Sequence, residues 1–276
     1  RNLQALIGVR YIYHENFKNH ATPNVALMYK PGKFNFRASY AAGFRTPTLS
    51  ELYATDIAKK NDRLTIGNLD LKPEKNNYFS LSAEYVHERF SVSVNAFYNN
   101  IRDMIDYNTI ATGDKAMEQY GHKEVRQRDN IAEAKVHGIN VSANAYLGAG
   151  FNLSGGYTHL NTQDVELEQP IDKSIKNAYN INAQWAHSWK IYRLNINLNG
   201  RINSKRFSKS YGYAPEYQLW DLNTRHSFNL KSVIIEPGFG MENLFDYMDD
   251  RPYNSNYATL TPGRSFYISL SLKFKS

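Results

Sequence analysis

The stretch GRSFYISLSLKF, Gly263–Phe274, decides the fold. Phe266, Ile268, Leu270, Leu272 and Phe274 alternate with Tyr267, Ser269, Ser271 and Lys273, and a period of two puts the two sets on opposite faces of a β-strand. One face is wholly apolar and the other is small and hydroxylated. That suits a strand between lipid and a wet lumen better than one wall of a dry core.

The rest of the chain repeats the pattern. Leu3, Ala5, Ile7, Val9, Tyr11 and Tyr13 form one face of the first strand, and Val25–Tyr29 is a second apolar stretch. Phe34, Phe36, Ala38 and Tyr40 follow a tight Lys30–Lys33 turn. Phe79, Leu81, Ala83 and Tyr85 lead through His87–Arg89 into Phe90, Val92, Val94, Ala96 and Tyr98. Val136–Leu147 and Phe151–Leu160 flank Gly148–Gly150; Ile175–Ala186 and Tyr192–Asn199 flank Ser188–Trp189; Tyr217–Leu230 and Val233–Phe245 flank Lys231. Opposite Tyr192, Leu194, Ile196 and Leu198 stand Arg193, Asn195, Asn197 and Asn199, a face that no dry interior would accept unpaired. The expectation is all-β: about twelve antiparallel strands in an up-and-down meander.

Connection lengths carry a second signal. Short turns are expected near residues 31, 88, 149, 188 and 231, and long loops near 18, 60, 118, 168, 210 and 255, the third of these long loops spanning Asp106 to about Asn130. Such alternation characterises outer-membrane barrels, with short periplasmic turns and long extracellular loops. Phe34, Phe90, Phe151 and Trp189 beside short turns match an interfacial aromatic girdle. With the first strand running outward and the last inward, both ends are periplasmic, and any strands before Arg1 must be even in number.

Composition is consistent. A mean hydropathy of -0.59 does not exclude a barrel, whose lumen residues cancel its lipid-facing ones in any average. The absence of cysteine removes disulfides and thiolate metal sites. A net charge of +7 is spread along the chain, which points to an anionic lipid or lipopolysaccharide surface rather than to nucleic acid. No catalytic motif, cofactor-binding motif or metal-ligand spacing is present, and the expectation is that the protein is not an enzyme.

One loop and one turn carry a family resemblance. YAAGFRTPTLSELYA and GNLDLKPEKNNYFSLSAEY, with about a dozen residues between them, resemble the FRAP and NPNL boxes of TonB-dependent outer-membrane receptors. The residues concerned are Phe44, Arg45, Pro47, Glu51 and Tyr53 in the first, and Asn68, Leu71, Pro73 and Glu74 in the second. Glu242–Asp246, ENLFD, and Pro262–Arg264 before the terminal strand are similar to the family's last-hairpin signature. Thr46 stands where the family box has Ala, and Leu69 where NPNL has Pro.

The resemblance implies a transmembrane β-barrel of about 22 strands with a plugged lumen. Residues 1–276 would then be the C-terminal half of that single barrel, with the plug and first strands outside this chain. It further implies import of a large scarce ligand, an iron chelate (siderophore or haem) or cobalamin. The expected partners are TonB through the plug, outer-membrane lipid or lipopolysaccharide, and a surface lipoprotein; the location is the outer membrane of a Gram-negative cell. No histidine lies between Tyr53 and Asn68, which disfavours haem at this loop and leaves His14, His20, His122 and His159 open.

Candidate ligand contacts are the loop residues Tyr107, Tyr120, His122, Tyr211, Tyr213, Tyr253 and Tyr257, whose rings can stack on a bulky ligand and whose polar tips can bond it. The two boxes read first as loop anchors. Pro47 and Pro73 fix φ, Thr48 or Ser50 caps a helical turn ending near Tyr53, and Arg45 pairs with Glu51. The competing readings are a hydrolase on a self-contained barrel, using Asp164 with His159 or Asp221 with His226, and a passive porin or adhesin. Pairing of the first strand with the last would make the barrel complete at twelve strands.

Overall fold

The computed structural model describes residues 2–209, 211–249, 259 and 261–275. In chain order its elements are β1 (Leu3–His14), β2 (Lys18–Tyr29), β3 (Phe34–Arg45), α1 (Leu49–Tyr53), β4 (Thr55–Ala58), β5 (Arg63–Ile66), β6 (Glu74–Val86), β7 (Phe90–Thr112) and α2 (Gly113–Tyr120). There follow β8 (Glu124–Gly148), β9 (Phe151–Asp164), β10 (Asn177–Trp189), β11 (Tyr192–Asn203), β12 (Arg206–Ser208), β13 (Gly212–Ala214), β14 (Tyr217–Asn229), β15 (Val233–Glu242) and β16 (Ser265–Phe274).

One continuous antiparallel sheet runs β1-β2-β3-β6-β7-β8-β9-β10-β11-β14-β15-β16, each strand beside its sequence neighbour apart from the inserted loop elements. β1 pairs with β2 and β16 with β15; the two do not pair with each other, so the sheet is open. The twelve expected strands are present, and the closed twelve-strand barrel is excluded.

The alternation organises the two faces. Along β16, Ile268 is 78% exposed and Leu270 65%. The polar face instead carries cross-strand hydrogen bonds: Ser39 to Ser80 and Ser93 to Ser142, each 2.7 Å, Asn182 to both Asn197 and Asn199 at 2.6 Å, and Gln184 to Asn195 at 3.1 Å. A compact monomer of 31.8 kDa would expose about 12,000 Å²; this chain exposes 18218 Å². The excess reflects a single open sheet uncovered on both faces, the apolar side chains of one face turned outward as a lipid-facing wall requires.

Aromatic rings gather at two levels. Beside the short turns, Phe34 meets Tyr85 at 4.8 Å, Tyr85 meets Phe90 at 5.6 Å, and Trp189 meets Tyr192 at 5.5 Å. Towards the long loops, Tyr40 meets Phe79 and Tyr157 meets Tyr179, both at 4.8 Å. Two such belts bracket the apolar band of a barrel at its two interfaces.

Three sequence expectations are corrected. The connection near residue 18 is a tight turn at Glu15–Phe17, with β2 already paired from Lys18; Pro23, which gives no N–H to a ladder, and the polar residues before it hide that strand's beginning. The turn placed at Ser188–Trp189 falls instead at Lys190–Ile191, with Lys190 at φ 38°. Most of Asp106–Asn130 is not loop: β7 runs 23 residues and β8 25, far beyond the roughly 9–11 that span a bilayer. Beyond the membrane no lipid faces this hairpin, so no apolar alternation announces it.

The faces make unequal demands on sequence. In the full-length protein, Leu270→Arg on the apolar face should cost about 2–4 kcal/mol of folding into lipid vesicles. Ser271→Arg, one residue away on the polar face, should cost under 1 kcal/mol. Heat-modifiable gel mobility across a urea series measures both.

Candidate functional site

The long connection from β3 to β6 lies against the projecting β7–β8 hairpin, and both family-like boxes sit in it. Thr48 caps α1: its hydroxyl accepts from the Glu51 N–H at 3.2 Å, while the Glu51 carboxylate accepts from the Thr48 N–H at 2.8 Å. Pro47, fixed in φ and buried, precedes this capping box.

Arg45, the last residue of β3, ties the two boxes together. Its guanidinium donates to Glu51 at 2.8 and 3.1 Å and to Glu74 at 2.8 and 2.6 Å. Two forked carboxylate pairs on one arginine match the planar donor geometry of that side chain. Glu74, opening β6, also accepts the Ile105 N–H at 2.8 Å, where β7 slips its register between Ile101 and Met104 and Asp103 takes φ 56°. The arginine thus joins the end of one strand, the loop helix, the start of the next strand and the bulge of a third.

Asn130 of β8 secures the second box. Its side chain accepts the Lys72 N–H at 2.7 Å and donates to the carbonyls of Lys72 at 2.9 Å and Asp103 at 2.6 Å. Asn68 closes its own turn onto the Asp70 N–H at 2.9 Å and gives its N–H to the Glu51 carbonyl. Leu71 and Pro73 are buried. A Cβ on Gly67 would stand 2.5 Å from the Leu52 carbonyl oxygen, so the close approach of the two boxes requires glycine.

β4 and β5 form a small hairpin whose second strand pairs in parallel with β8, Arg63 to Ile66 against Glu124 to Gln127. Leu64, Ala116 and Val125 make a small core there, with Ile66, Ala111 and Tyr120 packed against it. Tyr120 therefore joins the loop core. His122 is bonded through Nδ1 to Asp62 at 2.8 Å, and that hydrogen bond holds the Asp62 carboxyl below the usual carboxylate range.

The other candidates are more open. Tyr107, on the projecting hairpin, has the Arg128 guanidinium 3.6 Å above its ring and accepts a hydrogen bond from it. Tyr211 and Tyr213 are exposed at the β12–β13 hairpin, where Phe207 packs edge-on to Tyr213 at 5.3 Å. Tyr253 and Tyr257 lie outside the described residues. Among the box residues, Phe44 stacks on His20 at 4.4 Å and Tyr53 is exposed.

The hydrolase pairs do not assemble. His159 is bonded to Asn177 and His226 to Tyr192, while Asp221 accepts the Asn243 N–H at 2.9 Å. Odd spacing along a strand sends each aspartate to the face opposite its histidine. Asn130, the Ile105 N–H and the Asp62–His122 contact had no sequence signal, since each joins residues distant in the chain. Gly67 beside the second box was the one legible hint.

The ENLFD segment is a hinge into β16. Asn243, 3% exposed and at φ 51°, gives and takes hydrogen bonds with the Tyr247 backbone. Asp246 accepts the Arg264 N–H at 2.8 Å, placing the start of the terminal strand.

Residues 2–244 match the family model described as "TonB dependent receptor-like, beta-barrel". Among solved structures, a point mutant of the ferric enterobactin receptor PfeA from Pseudomonas aeruginosa superposes with a TM-score of 0.76 at 19% identity, over 99% of this chain and 43% of that one. The siderophore receptor PirA from the same organism gives 0.71 at 16%, over 100% and 46%. BauA, the ferric preacinetobactin receptor of Acinetobacter baumannii, gives 0.70 at 19%, over 99% and 40%. At these identities the likeness is one of fold, and the chain spans under half the length of each.

Burial by itself would raise the Glu51 carboxyl, but the Arg45 hydrogen bond, then the Thr48 N–H and hydroxyl, outweigh it and bring it from 4.5 down to about 2. A folded value below the unfolded one means that the clamp's contribution is complete above about pH 4.5 and fades as pH falls towards about 2. Hydrogen-exchange protection of residues 46–73 should fall over that window, and Glu51→Gln should flatten the dependence. Arg45→Ala should weaken the same protection by about 2–3 kcal/mol at neutral pH, because two carboxylates lose a charged donor.

Proposed function

The chain belongs to the TonB-dependent receptor-like β-barrel family, and from that premise we propose that it forms the C-terminal half of the barrel of an outer-membrane receptor that imports a ferric siderophore. The carrying observation is the single unbroken meander of twelve strands, matched over residues 2–244 by the family model. The plug, the remaining strands and the TonB contact belong to the rest of the receptor, and the open edges of β1 and β16 are where those strands pair. Ligand enters from the side of the long loops and leaves towards the short turns.

The siderophore reading draws on the loop chemistry. Tyr107 and Arg128 present a ring, a hydroxyl and a guanidinium together on the hairpin with the longest described strands, a set that recognises an anionic aromatic or hydroxamate chelate by stacking and charge-assisted bonds. Tyr211 and Tyr213 supply further exposed rings on the loop between β11 and β14. Haem has less support: the box loop lacks histidine, and His122 is engaged by Asp62. The similar solved structures are named as siderophore or ferric siderophore receptors, which points the same way.

Full-length receptor should quench its tyrosine and tryptophan fluorescence on titration with ferric catecholate or hydroxamate chelates. Tyr107→Ala and Arg128→Ala should each weaken binding about tenfold, the loss of one charge-assisted or stacking contact of about 1.4 kcal/mol. Uptake of radiolabelled iron should vanish without TonB. A Soret band from stoichiometric haem, with no response to ferric chelates, would reject the siderophore.

A further inference from the structure

Charge is distributed unevenly between the two ends of the polar face. Among the described residues, Glu84, Glu88 and Glu236 are the carboxylates in the half of the wall nearer the short turns. Glu84 is paired with Arg37 at 3.4 Å and Glu236 with Lys273 at 2.6 Å, which leaves Glu88. The same end carries Lys30, Lys33, Arg89, Lys190 and Lys231, all exposed and all without an ion pair among the described residues. Such an end is electropositive.

The backbone places three of these cations on the lumen side. Lys30 donates its N–H to the Asn2 carbonyl, the Lys33 carbonyl accepts from Val86, and the Arg89 carbonyl accepts from Tyr146. Each therefore prolongs a ladder by one rung, at a position that continues the polar face. The apolar face beside them is taken by Tyr29, Phe34 and Phe90. A lipid meets the wall from that other face, so these cations address something in the aqueous lumen.

Arg89 also borders a cavity of about 420 Å³ on the polar face, within the usual range of about 300–1,000 Å³ for small-molecule sites. Ser91, Asn144 and Ser154 form one rung of its floor, and Tyr146 and Asn152 the next. Further from the turns the wall is uncharged and bonded to itself, Ser93 to Ser142 at 2.7 Å and Thr158 to Asn140 at 2.9 Å. On the β10 side Asn182 and Gln184 are spent on Asn195, Asn197 and Asn199. In the cavity this changes. The side chains of Arg89, Ser91, Asn144, Asn152 and Ser154 make no hydrogen bond or ion pair among the described residues. A guanidinium and a set of free hydroxyls and amides thus converge where ligand leaves the barrel.

We propose that this cavity is an exit-side site for the imported chelate, selective for chelates of net negative charge. Arg89 pairs with a carboxylate or catecholate oxygen of the complex, and Ser91, Asn144, Asn152 and Ser154 hydrogen-bond its remaining oxygens. The neutral wall above offers a moving anion no counter-charge at which to stall, and the cationic end draws it on. Glu88, at the cavity's edge, opposes the anion and keeps the site weak enough to release it, as conduction through any pore requires. The proposal rests on the siderophore reading and adds the charge of the cargo to it.

These residues contain no cysteine, so single labels can be placed in an otherwise cysteine-free full-length protein. A fluorophore on Ala149→Cys, in the turn beside the cavity, reports the exit site, and one on Asp114→Cys, in α2, reports the loops. The probes are a ferric tricatecholate, which is anionic, and an uncharged ferric trihydroxamate. In detergent, where both ends are accessible, the tricatecholate should quench both labels in saturable phases, and the trihydroxamate should not quench the turn label. Arg89→Gln should weaken the turn phase about tenfold, one charge-assisted contact, and leave the loop phase unchanged. Arg89→Lys should restore part of it, and Glu88→Gln should strengthen it about threefold. In cells, Arg89→Gln should lower the maximal rate of iron uptake without changing the half-saturating concentration, which capture at the loops sets. Heat-modifiable gel mobility confirms that each variant is folded. Silence of both labels overturns the siderophore reading together with the site. A loop phase without a turn phase, a turn phase indifferent to Arg89→Gln, or equal quenching by the trihydroxamate overturns the exit site alone.

Discussion

In hydrocarbon a strand's N–H and C=O groups find no water, so each must be met by a neighbouring strand. This one requirement arranges the chain. Every strand of the main sheet between β1 and β16 is paired on both sides, over nearly the whole strand for β3–β6 and β6–β7 and over about half of it for β2–β3. With the backbone satisfied inside the sheet, side chains are free to sort by solvent, and period two does the sorting. Apolar residues gather on the face that elsewhere would be a core, which is why only a few large side chains among the described residues are buried. The polar face then needs its own satisfaction, and the ladders of Ser and Asn hydroxyls and amides provide it.

Outside the membrane that ordering device is lost, and a different one takes over. Each residue ordered in the long β3–β6 connection costs about 1–2 kcal/mol of backbone entropy, so the loop holds its shape only if tied at many points. Arg45 ties it at the end of β3 and the start of β6, Thr48 and Glu51 close its helix, Asn130 fixes the second box, and β5 borrows the free edge of β8. The small core around Val125 lies here, outside the bilayer, where burial still gains from leaving water. The chain has two stabilising regimes that meet at the aromatic belt on the loop side.

What could be read from the residues follows this division. GRSFYISLSLKF, Phe79–Tyr85 and Phe90–Tyr98 announce themselves because lipid and lumen impose opposite chemistry on alternate positions. The same logic fails for β7 beyond Asn100, where no lipid faces Asp106, Tyr107, Asn108 and Thr109 and the stretch resembles loop. It fails again at Pro23, which looks like a strand breaker although β2 runs through it. Within the boxes, the Thr48 cap and the Arg45–Glu51 pair were legible because their partners are six residues or fewer apart. Glu74 as a second partner of Arg45 lies 29 residues away, and Asn130 binds Lys72 across 58. Such contacts exist only once the strands have set the register, so no local pattern encodes them.

The same physics explains why the family was recognisable before the ligand was. The box residues are consumed by the scaffold: Arg45, Glu51 and Glu74 in the clamp, Pro47, Leu71 and Pro73 buried, Asn68 in its turn, Asn243 and Asp246 in the hinge to β16. A clamp of this geometry tolerates few alternatives, because an arginine meeting two carboxylates at fixed positions cannot be replaced by a lysine with one point charge. The residues proposed above to meet ligand, Tyr107, Arg128, Tyr211 and Tyr213, take no part in that clamp; Tyr107 pairs with Arg128 and Tyr213 packs on Phe207. The scaffold and the proposed specificity thus rest on separate residues, and the sequence signature of the first contains no information about the second.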